Sequence, residues 1–87
     1  MKTKKVIVYC DPGHAWAKVS KKELVKLKIE NEISGCSYQR GNFAYLEEDS
    51  DLSKFVKANE DNNVKILFKE FFTNRYSKIR NYEGYRI

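Results

Sequence analysis

The sequence predicts an α+β domain: a mostly antiparallel sheet in the order β-β-α-β-β-α-β, with two helices packed on one face. Three observations carry this. Val6-Ile7-Val8-Tyr9 is an unbroken run of β-branched and aromatic residues. Two β-prone runs flank Gly41-Asn42, a pair suited to a two-residue hairpin turn. Two further segments combine polar capping residues with apolar residues at helical spacing.

Lys4 to Tyr9 reads as the first strand, central and covered on both faces because its apolar residues are consecutive. Asp11-Pro12-Gly13 reads as a turn, and Ala15 to Val19 as a short returning strand. Ser20-Lys21-Lys22-Glu23 has the capping-box pattern, in which the Ser20 hydroxyl accepts from the Glu23 N–H and the Glu23 carboxylate reaches back. The helix it opens is expected to run to Ile29 or Glu30, with Leu24, Leu27 and Val25 inward and Lys22 and Lys26 in water. In the hairpin Cys36–Glu47, a turn at Gly41-Asn42 sets Tyr38 opposite Tyr45, Gln39 opposite Ala44, Arg40 opposite Phe43 and Ser37 opposite Leu46. Tyr38, Tyr45, Arg40 and Phe43 then share one face, expected to be the one that meets the helices, since the Ala44/Leu46 face is small; the alternative is a binding face whose aromatics stack on bases while Arg40 holds phosphate. Asp49 or Ser50 should cap a second helix with the stripe Leu52, Phe55, Val56; Asn59 to Asn63 should be a polar loop and Val64 to Phe72 a last strand.

The 87 residues make a single domain, 1–87, ending in a basic-aromatic segment, 73–87. A chain this long buries roughly 60–65% of its unfolded surface, enough for one core. With 41% hydrophobic and 33% charged residues it is not a disordered composition. No apolar run approaches a membrane span, and Val6 to Cys10 is too short for a signal-peptide core, so a cytoplasmic location is expected, here the cytoplasm of a host cell. Cys10 and Cys36, both read as lying in strands, are expected as buried free thiols, with a Cys10–Cys36 disulfide as the alternative. One histidine and two scattered cysteines give no metal-ligand spacing, so neither a metal nor another cofactor is expected.

Candidate sites are few. Cys10 and His14 could pair as nucleophile and base, but no orienting third residue is identifiable, and no catalytic residue is assigned. Glu47, Glu48, Asp49 and Asp51 lack the spacing and glycine of a calcium loop and read as charges beside a helix N-terminus. The net charge of +5 permits an acidic partner, nucleic acid included. The best candidate binding surface is the tail together with the hairpin arginine: Arg40, Arg75, Tyr76, Lys78, Arg80 and Tyr82, because arginine and tyrosine give much contact for few frozen rotamers.

Three stretches carry a resemblance: Asp11-Pro12-Gly13-His14-Ala15-Trp16, the run from Ser37 to Asp49 (SYQRGNFAYLEED), and Arg75 to Tyr82 (RYSKIRNY). The chain resembles a family of small uncharacterised proteins encoded by bacteriophages and prophages. The resemblance implies a phage context and no particular activity. Small phage proteins without catalytic motifs are often inhibitors of host machinery, anti-CRISPR proteins among them. The expectation is therefore a non-enzymatic protein that blocks or redirects a host protein or ribonucleoprotein complex, without a membrane role and with the oligomeric state open. The alternative is a stand-alone RNA- or single-stranded-DNA-binding protein.

Overall fold

A computed structural model describes residues 2–87 and shows an α+β fold built on one six-stranded mixed sheet with two helices. The elements are β1 (Lys2–Cys10), β2 (Ala15–Ser20), α1 (Lys21–Lys26), β3 (Tyr38–Arg40), β4 (Phe43–Glu47), α2 (Leu52–Asp61), β5 (Val64–Phe72), a 3₁₀ helix (Lys78–Asn81) and β6 (Glu83–Gly84). Across the sheet the order is β5-β1-β2-β4-β3-β6. Every neighbouring pair is antiparallel except β1 and β5, which run parallel over their whole length, Lys2 opposite Val64 to Cys10 opposite Phe72. The tail, expected only as an irregular extension, supplies the sixth strand, with Gly84 opposite Tyr38.

The hairpin forms in the expected register, Tyr38 opposite Tyr45 and Arg40 opposite Phe43. Gly41 sits at φ +58, the left-handed conformation that an L side chain disfavours. Its faces are reversed relative to expectation. Ala44 and Leu46, both fully buried, face the helices and join Val6, Val8, Ala17, Val19, Leu24 and Phe55 in the main core. The aromatic face points to the opposite side, where Tyr45 and Trp16 are buried by Ile79 of the tail.

Helix α1 is shorter than its pattern suggests. Lys28 takes φ +62; its N–H donates to the Val25 carbonyl (3.0 Å), and the Ile29 N–H donates to the Leu24 carbonyl (2.9 Å). This is a Schellman ending with lysine in the left-handed position, sealed by Ile29 packing in the core with Leu24. Val25, expected inside, is 58% exposed as a result. Ser20 caps the helix, but its hydroxyl accepts from Lys22 N–H (3.1 Å), and Glu23 pairs with Lys4 of β1 instead of turning back.

Helix α2 starts later and ends later than expected. Its N-cap residue is Asp51, whose carboxylate makes no capping bond. That carboxylate is fully buried and accepts from the Ser34 hydroxyl (2.8 Å), the Ser37 hydroxyl (2.6 Å) and Lys54 (2.9 Å), tying the long α1–β3 connection to α2. Burial alone would raise the Asp51 pKa; the bonds from Ser37, Lys54 and Ser34 leave it lowered. Asn59, expected in a loop, is a buried residue of the helix whose amide donates to the Phe55 carbonyl (2.9 Å).

Two expectations about burial are corrected. Cys36 lies in a turn ahead of β3 and is exposed, because Ser34 and Gly35 turn the chain before the strand begins; both cysteines are free thiols. Strand β1 is covered on one face only: Val6, Val8 and Cys10 are buried, while Ile7 is 36% exposed on the face without helices. No described helix is long and apolar enough to cross a membrane.

Candidate functional site

The C-terminal segment, with its 3₁₀ helix, lies across one half of the sheet face opposite α1 and α2 (the face free of α-helices) and is held there by Asp11. The side chain of Asp11 is fully buried. It accepts from Arg80 Nε (2.6 Å) and Nη2 (2.9 Å), from the Ser77 N–H (2.9 Å), and from the N–H groups of Gly13 and His14 (both 2.9 Å). Asp11 thus shapes its own turn and clamps a segment 66 residues away. The Arg80 guanidinium holds the Asp11 carboxyl well below the usual carboxylate range, with the N–H donors adding to the effect. A Cβ on Gly13 would stand 2.9 Å from Arg80 Nη2, so a larger residue there would displace the end of the Arg80 side chain.

Arg80 is also stacked. Its guanidinium lies 5.3 Å from the Trp16 ring and 4.8 Å from the Tyr76 ring. Tyr82 packs edge-on against Tyr45 at 5.1 Å, and Arg40 covers Tyr82 at 5.1 Å. The structure therefore gathers Arg40, Tyr76, Arg80 and Tyr82 into one region, with Arg80 and Tyr82 partly engaged in holding the tail down. Arg75, Tyr76 and Lys78 are exposed.

The other half of the helix-free face is open. Strand register and alternation place Lys5, Ile7 and Tyr9 of β1 there, with Lys18 of β2, Phe43 of β4, and Lys65, Leu67, Lys69 and Phe71 of β5. Phe71 is 46% exposed, Leu67 40% and Phe43 40%. Tyr9 and Phe71 stack at 6.0 Å, Lys69 lies 5.5 Å from the Phe71 ring, and Lys18 lies 4.2 Å from the Phe43 ring. Among the described strand residues on this face the one carboxylate is Glu47, which is buried at its far end beside His14. Sequence reasoning assigned Val64–Phe72 as a strand but missed this surface. The signal available was the interleaving of Lys65 and Lys69 with Leu67 and Phe71.

His14 stands at a polar corner with Glu47 and Asp49. His14 Nδ1 lies 3.1 Å from Glu47 Oε1, and the ligand atoms of His14, Glu47 and Asp49 lie within 4.8 Å of one another. Glu47 Oε2 already accepts from the Asp49 N–H (3.1 Å) and the Ser50 hydroxyl (3.3 Å), as expected of a carboxylate that closes a turn. Cys10 contacts Glu70 (3.9 Å), and burial, with Glu70 beside it, pushes its thiol pKa up, away from a nucleophile's range. A groove of about 760 Å³ on the helix side is lined by Lys4, Glu23, Lys26 and Asn59 among others, with the Lys4–Glu23 pair closing its charges on each other.

Compared with protein-family models, with curated proteins and with solved structures, the chain shows no match.

Proposed function

We propose that this protein is a non-catalytic binding protein that takes single-stranded nucleic acid on the open half of its sheet. The observation that carries this reading is the composition of that face. Lys5, Lys18, Lys65 and Lys69 alternate with Tyr9, Phe43, Leu67 and Phe71 across four adjacent strands, β5-β1-β2-β4. Exposed aromatic rings stack on bases of any sequence, and lysines beside them meet the phosphates that follow. Lys69 lies 5.5 Å from the Phe71 ring and Lys18 lies 4.2 Å from the Phe43 ring, so a cation stands beside each of these aromatic side chains. The net charge of +5 adds a favourable long-range field.

A fluorescence-anisotropy titration with mixed-sequence single-stranded DNA and RNA oligonucleotides tests this. Saturable binding is expected at low salt, with log K falling linearly against log salt at a slope of about −0.7 per phosphate contact. Absence of binding at low salt, or affinity indifferent to salt, would remove the reading.

A second reading keeps the phage context: a protein that blocks or redirects a host protein or ribonucleoprotein, as anti-defence proteins do. The exposure of Leu67, Phe68, Phe71 and Phe72 favours it, since grouped apolar side chains on a surface mark protein interfaces. Capture from host lysate with and without nuclease separates the two. A partner retained after nuclease treatment supports the second.

A further inference from the structure

We infer that two copies of this chain pair through β5, edge to edge and antiparallel about a two-fold axis centred on Phe68, joining both sheets into one. Strand β5 is an edge of the sheet, nine residues long, with no described element beyond it. The Lys2 N–H donates to the Asn63 carbonyl and the Thr73 N–H to the Cys10 carbonyl, so odd-numbered residues turn their backbone groups towards β1. By alternation Val64, Ile66, Phe68, Glu70 and Phe72 turn theirs outwards, a row of donors and acceptors ready for another strand. Beside that row stand four apolar side chains, Leu67 (40% exposed), Phe68 (48%), Phe71 (46%) and Phe72 (76%), interspersed with the exposed Lys65, Lys69 and Glu70. The opposite edge of the sheet, β6, is two residues long and offers no comparable template.

Self-pairing is favoured because β5 is complementary to itself in the register that overlaps its whole length. Centred on Phe68, the whole strand overlaps: Phe68 faces its own copy, Ile66 faces Glu70, Val64 faces Phe72, Leu67 faces Lys69 and Lys65 faces Phe71. No like charges stand opposite each other, and each lysine meets an apolar or aromatic partner. A centre at Leu67 would set Lys65 against Lys69. A centre at Lys69 would oppose two lysines, and one at Glu70 two glutamates, each costing stability by like-charge opposition. The perpendicular axis keeps both open faces on the same side, so the inference adds to the nucleic-acid reading without depending on it.

The test uses nuclease-treated protein, so that no nucleic acid bridges copies. By sedimentation the wild type is expected at about twice the chain mass of 10.3 kDa. Phe68→Glu and Phe68→Lys, each folded by circular dichroism, are expected to be monomers, because the axis brings identical charges together. Their equimolar mixture is expected to recover the dimer, since Glu then faces Lys. A monomeric wild type, single variants that stay dimeric, or a mixture that stays monomeric would each overturn the proposal. Should the variants not fold, hydrogen exchange on the wild type decides the matter. The Ile66, Phe68 and Glu70 amides should gain protection as concentration rises, and concentration-independent exchange there would overturn it.

Discussion

Asp11→Ala is expected to release the C-terminal segment from the sheet and to lower stability by about 3 kcal/mol, the scale set by stranding several donors of one buried acceptor. The carboxylate has five donors, from Arg80, Ser77, Gly13 and His14, and those from Arg80 and Ser77 are partly buried. Trp16, 2% exposed beneath Arg80 and Ile79, is the chain's single tryptophan and reports the event directly. Its emission should shift to longer wavelength in Asp11→Ala, with a lower urea midpoint. Asp11→Asn, which keeps the shape and one acceptor, should fall between. The pH dependence has a definite sign. Because Arg80 depresses the Asp11 pKa in the folded state, its stabilisation is complete above the ordinary carboxylate pKa of about 4 and is lost as pH falls below it. The wild type should therefore lose stability in acid, and Asp11→Asn should lose less over the same window, retaining the part due to the lowered Asp51. Unchanged emission and stability in Asp11→Ala would show that the tail is held by something else.

Lys65→Glu/Lys69→Glu is expected to weaken oligonucleotide binding by roughly a hundredfold or more at low salt and to reduce the salt slope by about 1.4, since two phosphate contacts are lost. Both lysines are exposed on β5, facing the open side beside Leu67 and Phe71. Lys22→Glu/Lys26→Glu makes the same change in net charge on α1, away from that face, and both of those lysines are also exposed. It should reduce affinity only through the long-range field, by about threefold or less. Equal losses in the two doubles would mean that net charge alone attracts the ligand and that the open face is not its site. Arg80→Ala is unsuited to this comparison. Its loss strands the buried Asp11 carboxylate, so a binding defect there would mix with a folding defect.

Local chemistry made the hairpin legible. Gly41 supplies the positive φ that the turn takes and the flanking residues favour strands, so turn and register followed together. Strand β5 was legible as a strand, but its parallel pairing with β1 was not, because periodicity carries no information about neighbours. Helix α1 was overextended in the sequence reading, since Lys28 is a good helix former and nothing local marks it as left-handed. The tail's place was the least legible part of the candidate site. Asp11 looks like a turn residue and is one, yet the same carboxylate receives Arg80 and Ser77 from the far end of the chain. The size of the hairpin's aromatic residues points to the helix-facing core. Ala44 and Leu46 instead pack with Leu24 and Phe55 on that side, because the tail's Ile79 and Tyr82 supply the cover that buries the aromatics on the other.

Nitrogen–proton correlation spectra of the labelled protein, recorded as a mixed-sequence single-stranded oligonucleotide is added, test the central claim most directly. The account predicts that shifts concentrate in β1, β5, β2 and β4 around Ile7, Tyr9, Lys18, Phe43, Lys69 and Phe71, with Leu24 and Phe55 under the helices little affected. Shifts concentrated on α1 and α2, or a spectrum unmoved by saturating oligonucleotide at low salt, would contradict it.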